Sequence, residues 1–229
     1  MNDDRTSRRQ LVRQAWIRLL IGCLLIGVCL FLPARTWAYW QAWVYLIVFL
    51  SSVLAIMVDL LKHDPELLAR RMRMKEKQPA QKRIITIMAI LFMLTLLLSG
   101  WDKRFGWSHI PPAAVILGDI GVFIGYGFIF CVFKANRFAS RIIEVMPGQT
   151  VISNGPYSWI RHPMYLGSVV MHIATPMALG SSWALIPAVL IVPVTAARIL
   201  HEERLLAADL GGYREYMRNV RYRLIPGIW

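Results

Sequence analysis

Along this chain apolar side chains do not alternate with polar ones; they come in long runs separated by short polar segments. Spanning a hydrocarbon core takes about 20 apolar residues, with ~17–25 as the useful range. Six runs approach that size, at residues 17–32, 37–61, 84–100, 113–133, 164–179 and 183–200. The first and fifth are the shortest, so the pattern predicts about six spans, with five as the alternative. Lipid offers no partner for free backbone N–H and C=O groups, and the runs lack the alternation of barrel strands, so each one is expected to be a helix. The expected fold is all-α, a multi-pass transmembrane helical bundle.

Positive charge gives the bundle its sidedness, because cytoplasmic loops are enriched in Lys and Arg. With six spans, the segments 1–18, 62–83, 134–161 and 198–223 fall on one side and hold 23 of the 26 cations. The alternate connections hold only Arg35, Lys103 and Arg104. Both termini are therefore expected in the cytoplasm. Trp37, Tyr39 and Trp40, which flank the second run, and Trp101, Trp107 and Trp183, at the expected outer ends, read as interfacial anchors. Only Gly180, Ser181 and Ser182 separate the last two runs, which predicts a tight helical hairpin returning to the cytoplasmic side. Basic residues before the first run and Thr36-Trp37-Ala38 after it loosely resemble a signal peptide. The five runs that follow make a first transmembrane helix the simpler reading. Residues 1–229 read as one membrane unit, with N-terminal helices over 1–133 and a functional half over 134–229.

Composition agrees with a lipid-bilayer environment. The hydrophobic share is 57%, the charged share 17% and the mean hydropathy +0.49, against about 45–50% and 25% in ordinary globular domains. A net charge of +13 would suit nucleic acid in a soluble protein, but this hydropathy excludes a basic soluble binder, and it equally excludes disorder. No nucleic-acid partner is expected. Cys23, Cys29 and Cys131 each lie inside an apolar run without metal-ligand spacing, so neither disulfides nor a metal site is expected.

Two polar clusters stand out. Asn154-Gly155-Pro156 reads as a turn, and Pro163 suits the first position of a helix, which puts His162 at the N-cap and Arg161 just outside it. A helix N-terminus beside Arg and His can hold a carboxylate or other anion, or the two cations can simply mark the cytoplasmic boundary. The second cluster is Arg198-Ile-Leu-His-Glu-Glu-Arg204, in which Arg198, His201 and Glu202 share a helical face. Ionisable groups at the edge of a membrane helix are costly unless they pair or line a wet cavity, so Arg198 is a candidate site residue. Glu203 and Arg204 read as ordinary surface ion-pair residues. The hairpin should bring Arg198 beside His162. Asp119 lies next to Gly121 and Gly125, a small-xxx-small pair that reads first as close helix packing. Asp59 can reach the interface, and His172 is expected to hydrogen-bond a neighbour. The tail, residues 205–229, is expected along the membrane surface. No dinucleotide fingerprint, P-loop or zinc-protease motif occurs.

Asn154-Gly-Pro-Tyr-Ser-Trp-Ile-Arg-His-Pro-Met-Tyr-Leu-Gly167, then Glu202-Glu203, then Gly212-Tyr-Arg-Glu-Tyr216, resemble the isoprenylcysteine carboxyl methyltransferase family and its bacterial relatives, over roughly residues 134–229. The Arg-His-Pro portion also recurs in phospholipid methyltransferases and, more loosely, in membrane sterol reductases. The resemblance implies methyl transfer from S-adenosylmethionine to a carboxylate at the membrane surface, leaving S-adenosylhomocysteine. It implies a cofactor held by Gln149, Thr150, Val151, Ile152, Tyr157, His162, Pro163, Met164, Tyr165 and Glu202. Arg198 would be the catalytic residue, contacting a lipophilic substrate that enters sideways from the bilayer. A lipid amine N-methyltransferase, an NADPH-dependent reductase relative and a non-catalytic membrane protein are the competing readings. The chain is shorter than eukaryotic members of the family, which bears on whether its acceptor is a prenylated protein.

Overall fold

The structure, a computed structural model, describes residues 2–72, 76, 78–140, 142 and 145–229, with side chains from Arg8 onward. Of the cation count, Arg73, Lys75, Lys77 and Arg141 lie outside these, as does the side chain of Arg5. The order of elements is α1 (Asn2–Ala34), α2 (Trp40–His63), α3 (Pro65–Arg71), α4 (Pro79–Phe105), α5 (Pro112–Ala135), a 3₁₀ turn (Gly155–Ser158), α6 (Pro163–Ala178), α7 (Leu185–Asp209) and α8 (Tyr213–Asn219). No strand occurs among the described residues, and the architecture is the expected helical membrane bundle. Four helices begin on proline, at Pro65, Pro79, Pro112 and Pro163, where the missing N–H has no partner to lose. The short α3 went unforeseen in the 62–83 connection. Its signal was Asp64-Pro65: the Asp64 carboxylate caps the helix by accepting from Leu67 N–H at 2.9 Å.

Five helices are long and apolar enough to cross a membrane: Arg8–Ala34 within α1, then α2, α4, α5 and α7. The fifth apolar run falls short of the six expected spans. It forms the 16-residue α6, which rises about 24 Å against a core of about 30 Å. Its length is limited at one end by Pro163, where a polar cavity begins, and at the other by the turn into α7.

Small residues let α6 press against α5 in antiparallel fashion. A Cβ on Gly118 would lie 2.3 Å from the Ala178 nitrogen, one on Gly125 2.8 Å from the Gly167 carbonyl oxygen, and one on Gly121 2.9 Å from Ala174 Cβ. The packing role expected of Gly121 and Gly125 is thus the observed one, and Asp119 is buried. His172 bonds within its own helix, its Nδ1 lying 2.6 Å from Ser168 O. Asp59 pairs with Lys134 at 2.6 Å.

The segments grouped by charge do meet at one end of the bundle. Arg18 donates to Met72 O, Arg70 to Arg137 O at 2.8 Å, and Arg161 to the carbonyls of Met217 and Val220. At the opposite end, buried Asp102 accepts from Ser108 N–H at 2.7 Å, Ser108 Oγ at 2.6 Å and Ser181 Oγ at 2.5 Å, which fastens the α6–α7 hairpin to α4. Gly180 makes that hairpin possible with φ 71°, a left-handed conformation a side chain would strain. Tyr39 departs from its expected place in the interface: it is fully buried, and its hydroxyl contacts the carbonyls of Ser99 and Leu179. Leu179 is the C-cap of α6, where a hydroxyl can satisfy a carbonyl that lipid cannot.

Candidate functional site

The described residues after α5 fold back over the start of α6, and α7 and α8 close the space from the far side. The result is a cavity of about 840 Å³, measured out to its open mouth. Gln149, Thr150, Val151, Ile152, Tyr157, His162, Met164, Tyr165, Arg198 and Glu202 all line it. Pro163 does not; it sets the first turn of α6, with His162 at the N-cap as expected. Residues far apart in sequence thus surround one space.

At its base Tyr165 links the two charges of α7. Arg198 Nε donates to the Tyr165 hydroxyl at 2.7 Å, and that hydroxyl donates to Glu202 Oε2 at 2.6 Å. Arg198 and Glu202, which share a face of α7, are thus bridged by a tyrosine from α6. Arg198 is buried, and its guanidinium also lies 5.8 Å from the Tyr165 ring centroid.

Glu203 corrects the sequence reading. It is 4% exposed, and its Oε1 lies 2.7 Å from Arg161 Nε and 3.2 Å from His162 Nε2, while Oε2 accepts from Arg223 Nε at 2.8 Å. Helical phase explains the difference: Glu202 turns toward the cavity, whereas its neighbour, about 100° around the helix, turns toward the 161–162 turn and the tail. Arg161 and His162 consequently face a protein carboxylate.

The tail also differs from expectation. Leu210, Tyr213, Tyr216 and Val220 form a buried cluster against Val151, Tyr157 and Leu206, and Leu206, Leu210, Tyr213 and Tyr216 line the cavity. The backbone N–H groups of Arg161 and His162 donate to Tyr222 O and Arg223 O, both at 2.9 Å, which ties the tail to the start of α6. Tyr216 donates to Tyr157 O at 2.7 Å, and Asn136 Nδ2 donates to the Tyr157 hydroxyl at 2.9 Å. Burial pushes Tyr157 up to about 12 and raises Tyr213 and Tyr216 above the ordinary phenol range. All three phenols stay neutral at physiological pH. Asn136, Leu206, Leu210, Tyr213 and Tyr216 were missed as lining residues; the Tyr213 and Tyr216 spacing in the tail was the available signal.

The chain is an all-helical integral membrane protein with a partly polar cavity at one end. The model of the isoprenylcysteine carboxyl methyltransferase (ICMT) family matches residues 116–208, which shows the resemblance carried by the 154–167 motif and the paired acids. The match starts earlier than the 134 expected, taking in most of α5, and ends before the Gly212–Tyr216 motif. The cobalt-zinc-cadmium resistance protein CzcN of Cupriavidus metallidurans is 28% identical over 141 residues, 57% of this chain and 57% of the relative. The chain thus spans about half the length of that curated relative. A solved structure of the eukaryotic intramembrane Ras methyltransferase ICMT, without a monobody, aligns with 92% of this chain and 85% of its own at 15% identity and a TM-score of 0.47.

Proposed function

We propose that this protein is an integral membrane methyltransferase that uses S-adenosylmethionine to O-methylate the carboxylate of a lipid-linked, isoprenoid-cysteine-like substrate. The observation that carries the reading is the Arg198–Tyr165–Glu202 chain at the base of the cavity. It sets a cation for a carboxylate beside an anion for an ammonium group within one enclosed space.

The residues present fit the cofactor's chemistry. Glu202 offers a carboxylate to its ammonium, Tyr157 and Tyr165 offer aromatic faces to a sulfonium, and the backbone of 149–152 with Leu206 and Leu210 gives an apolar and hydrogen-bonding wall. His162, Pro163 and Met164 form the turn that presents Tyr165. Bound S-adenosylmethionine supplies a methyl on a positively charged sulfur that leaves as a neutral thioether. No acid is needed from the protein. Arg198 would orient the acceptor by donating paired N–H bonds to its carboxylate, which would hold a carboxylate oxygen ready for the methyl group that the cofactor would supply. Tyr165 holds the guanidinium in place by accepting from Nε. The same end of the bundle, where 23 of 26 cations gather in sequence, faces the cytosol in this reading.

Calorimetric titration of the purified protein with S-adenosylhomocysteine tests the cofactor site. Wild type binds, and a folded Glu202→Ala, Tyr157→Ala double variant loses binding; no binding by folded wild type overturns the proposal. A farnesylcysteine analogue with a free carboxylate then tests the acceptor. Turnover on a lipid amine instead would retain the cofactor site and replace the acceptor, against the presence of Arg198.

A further inference from the structure

At the end of the bundle away from the cavity, α1 and α2 leave a groove of about 1380 Å³, open to the surroundings. Leu24, Gly27, Val28, Phe31, Trp37 and Trp43 line it, and its walls are apolar except at the end, where Arg35 and Thr36 stand. Three cations occupy this end. Lys103 lies 5.7 Å from the Tyr39 ring and Arg104 5.1 Å from the Phe105 ring. Arg35 is exposed and has neither an acidic partner nor an aromatic ring among the described residues. It also takes φ 50°, the one described residue other than glycine with a positive φ, in the left-handed conformation common just after a helix end.

We propose that this groove binds one anionic glycerophospholipid of the leaflet opposite the cavity, with an acyl chain along α1 and the phosphate on the Arg35 guanidinium. Length supports this occupant. From Cys23 to Arg35 the chain rises about 18 Å, close to one leaflet of a hydrocarbon core about 30 Å thick. The groove therefore runs from near the bilayer midplane to the headgroup level. Charge supports it as well: the guanidinium fork matches phosphate oxygens in pairs, and it stands where the apolar lining stops. The aromatic group formed by Phe31, Trp37 and Trp43, with ring centroids 4.7–6.2 Å apart, gives the acyl chain a fixed wall. Trp43 Nε1 donates to Trp37 O at 3.0 Å, which holds that wall in place. This site is independent of the methyl-transfer reading, since it shares no lining residue with the cavity.

Two substitutions separate charge from space. Arg35→Asn removes the cation but tolerates a left-handed backbone. Gly27→Phe fills the groove, since a Cβ at Gly27 meets nothing within 4 Å. The full chain in detergent is titrated with dioleoyl phosphatidylglycerol, or with dioleoylglycerol, which has the same chains and no phosphate, and bound lipid is counted by native mass spectrometry. Helical circular dichroism checks the fold of each variant. Expected is one phosphatidylglycerol per chain, at least tenfold weaker binding in either variant, and at least tenfold weaker binding of dioleoylglycerol. Equal binding by wild type and both folded variants overturns the site. Equal binding of the two lipids overturns the role of Arg35. A wild-type dimer that Gly27→Phe dissociates without change in lipid binding assigns the groove to a second copy of the chain and overturns the proposal.

Discussion

Asp102 and Glu203 are buried at opposite ends of the bundle, and the two carboxylates are satisfied in opposite ways. Asp102, 2% exposed, is held by two serine hydroxyls and a backbone N–H. Glu203, 4% exposed, is surrounded by Arg161, His162 and Arg223. Neutral donors suffice where the task is to fasten a hairpin. Cations are needed where three segments from distant parts of the chain must be held around a cavity that also contains Arg198 and Glu202. A buried carboxylate among cations is costly to disturb, because removing one partner strands the others.

Removing Glu203 should therefore have the largest effect. Glu203→Ala leaves Arg161 and His162 buried without their carboxylate and should lower stability by about 3–5 kcal/mol, read as denaturant unfolding in detergent micelles. The equivalent Asp102→Ala leaves neutral donors without an acceptor and should cost about 1–3 kcal/mol. Equal losses from the two would erase the distinction between the ends.

Between them in size lies Arg198→Ala, which addresses function more than fold. It should reduce methyl transfer about a hundredfold, the scale of a misplaced reactant, while S-adenosylhomocysteine affinity stays near wild type. Transfer at the full rate would remove Arg198 from the acceptor site. The smallest effect is expected at Tyr157. Its folded-state value is raised to about 12, above the unfolded value of about 10, so its contribution to stability is complete below pH 10 and is lost as pH rises through 12. Tyr157→Phe should remove one phenol titrating near 12 from the alkaline absorbance spectrum and cost about 1 kcal/mol through its Asn136 hydrogen bond. If Tyr157→Phe instead removes a phenol that titrates below pH 10, the burial around Asn136 and Tyr216 is not maintained in solution.

Local features of the site were well expressed in sequence. Pro163 and His162 announced a helix start because the missing proline N–H matters least there, and Asn154-Gly155-Pro156 announced the turn before it. The partners of these residues were not expressed. Whether Glu202 or Glu203 faced the cavity depended on the rotation of α7, which neighbouring glutamates do not reveal. Tyr39 looked like an interfacial anchor because its type and position suit the membrane surface; only the approach of Ser99 and Leu179 made it a buried donor. The tail looked like a surface element because its apolar residues had no visible counterpart, and Val151 and Tyr157 supply that counterpart from about sixty residues away.

By itself the sequence determined that this protein is a helical membrane bundle, which segments share an end, and where short motifs begin a turn or a helix. Those properties follow from run length, local charge and turn residues, all of which act within one or two helical turns. Tertiary structure decided which acid is part of the cavity, that α6 is too short to count among the long spans, and that Tyr165 lies between Arg198 and Glu202. Each of these depends on the depth and rotation at which helices pack, and Gly118, Gly121, Gly125 and Gly167 set that depth for α5 and α6 through contacts that no local pattern records.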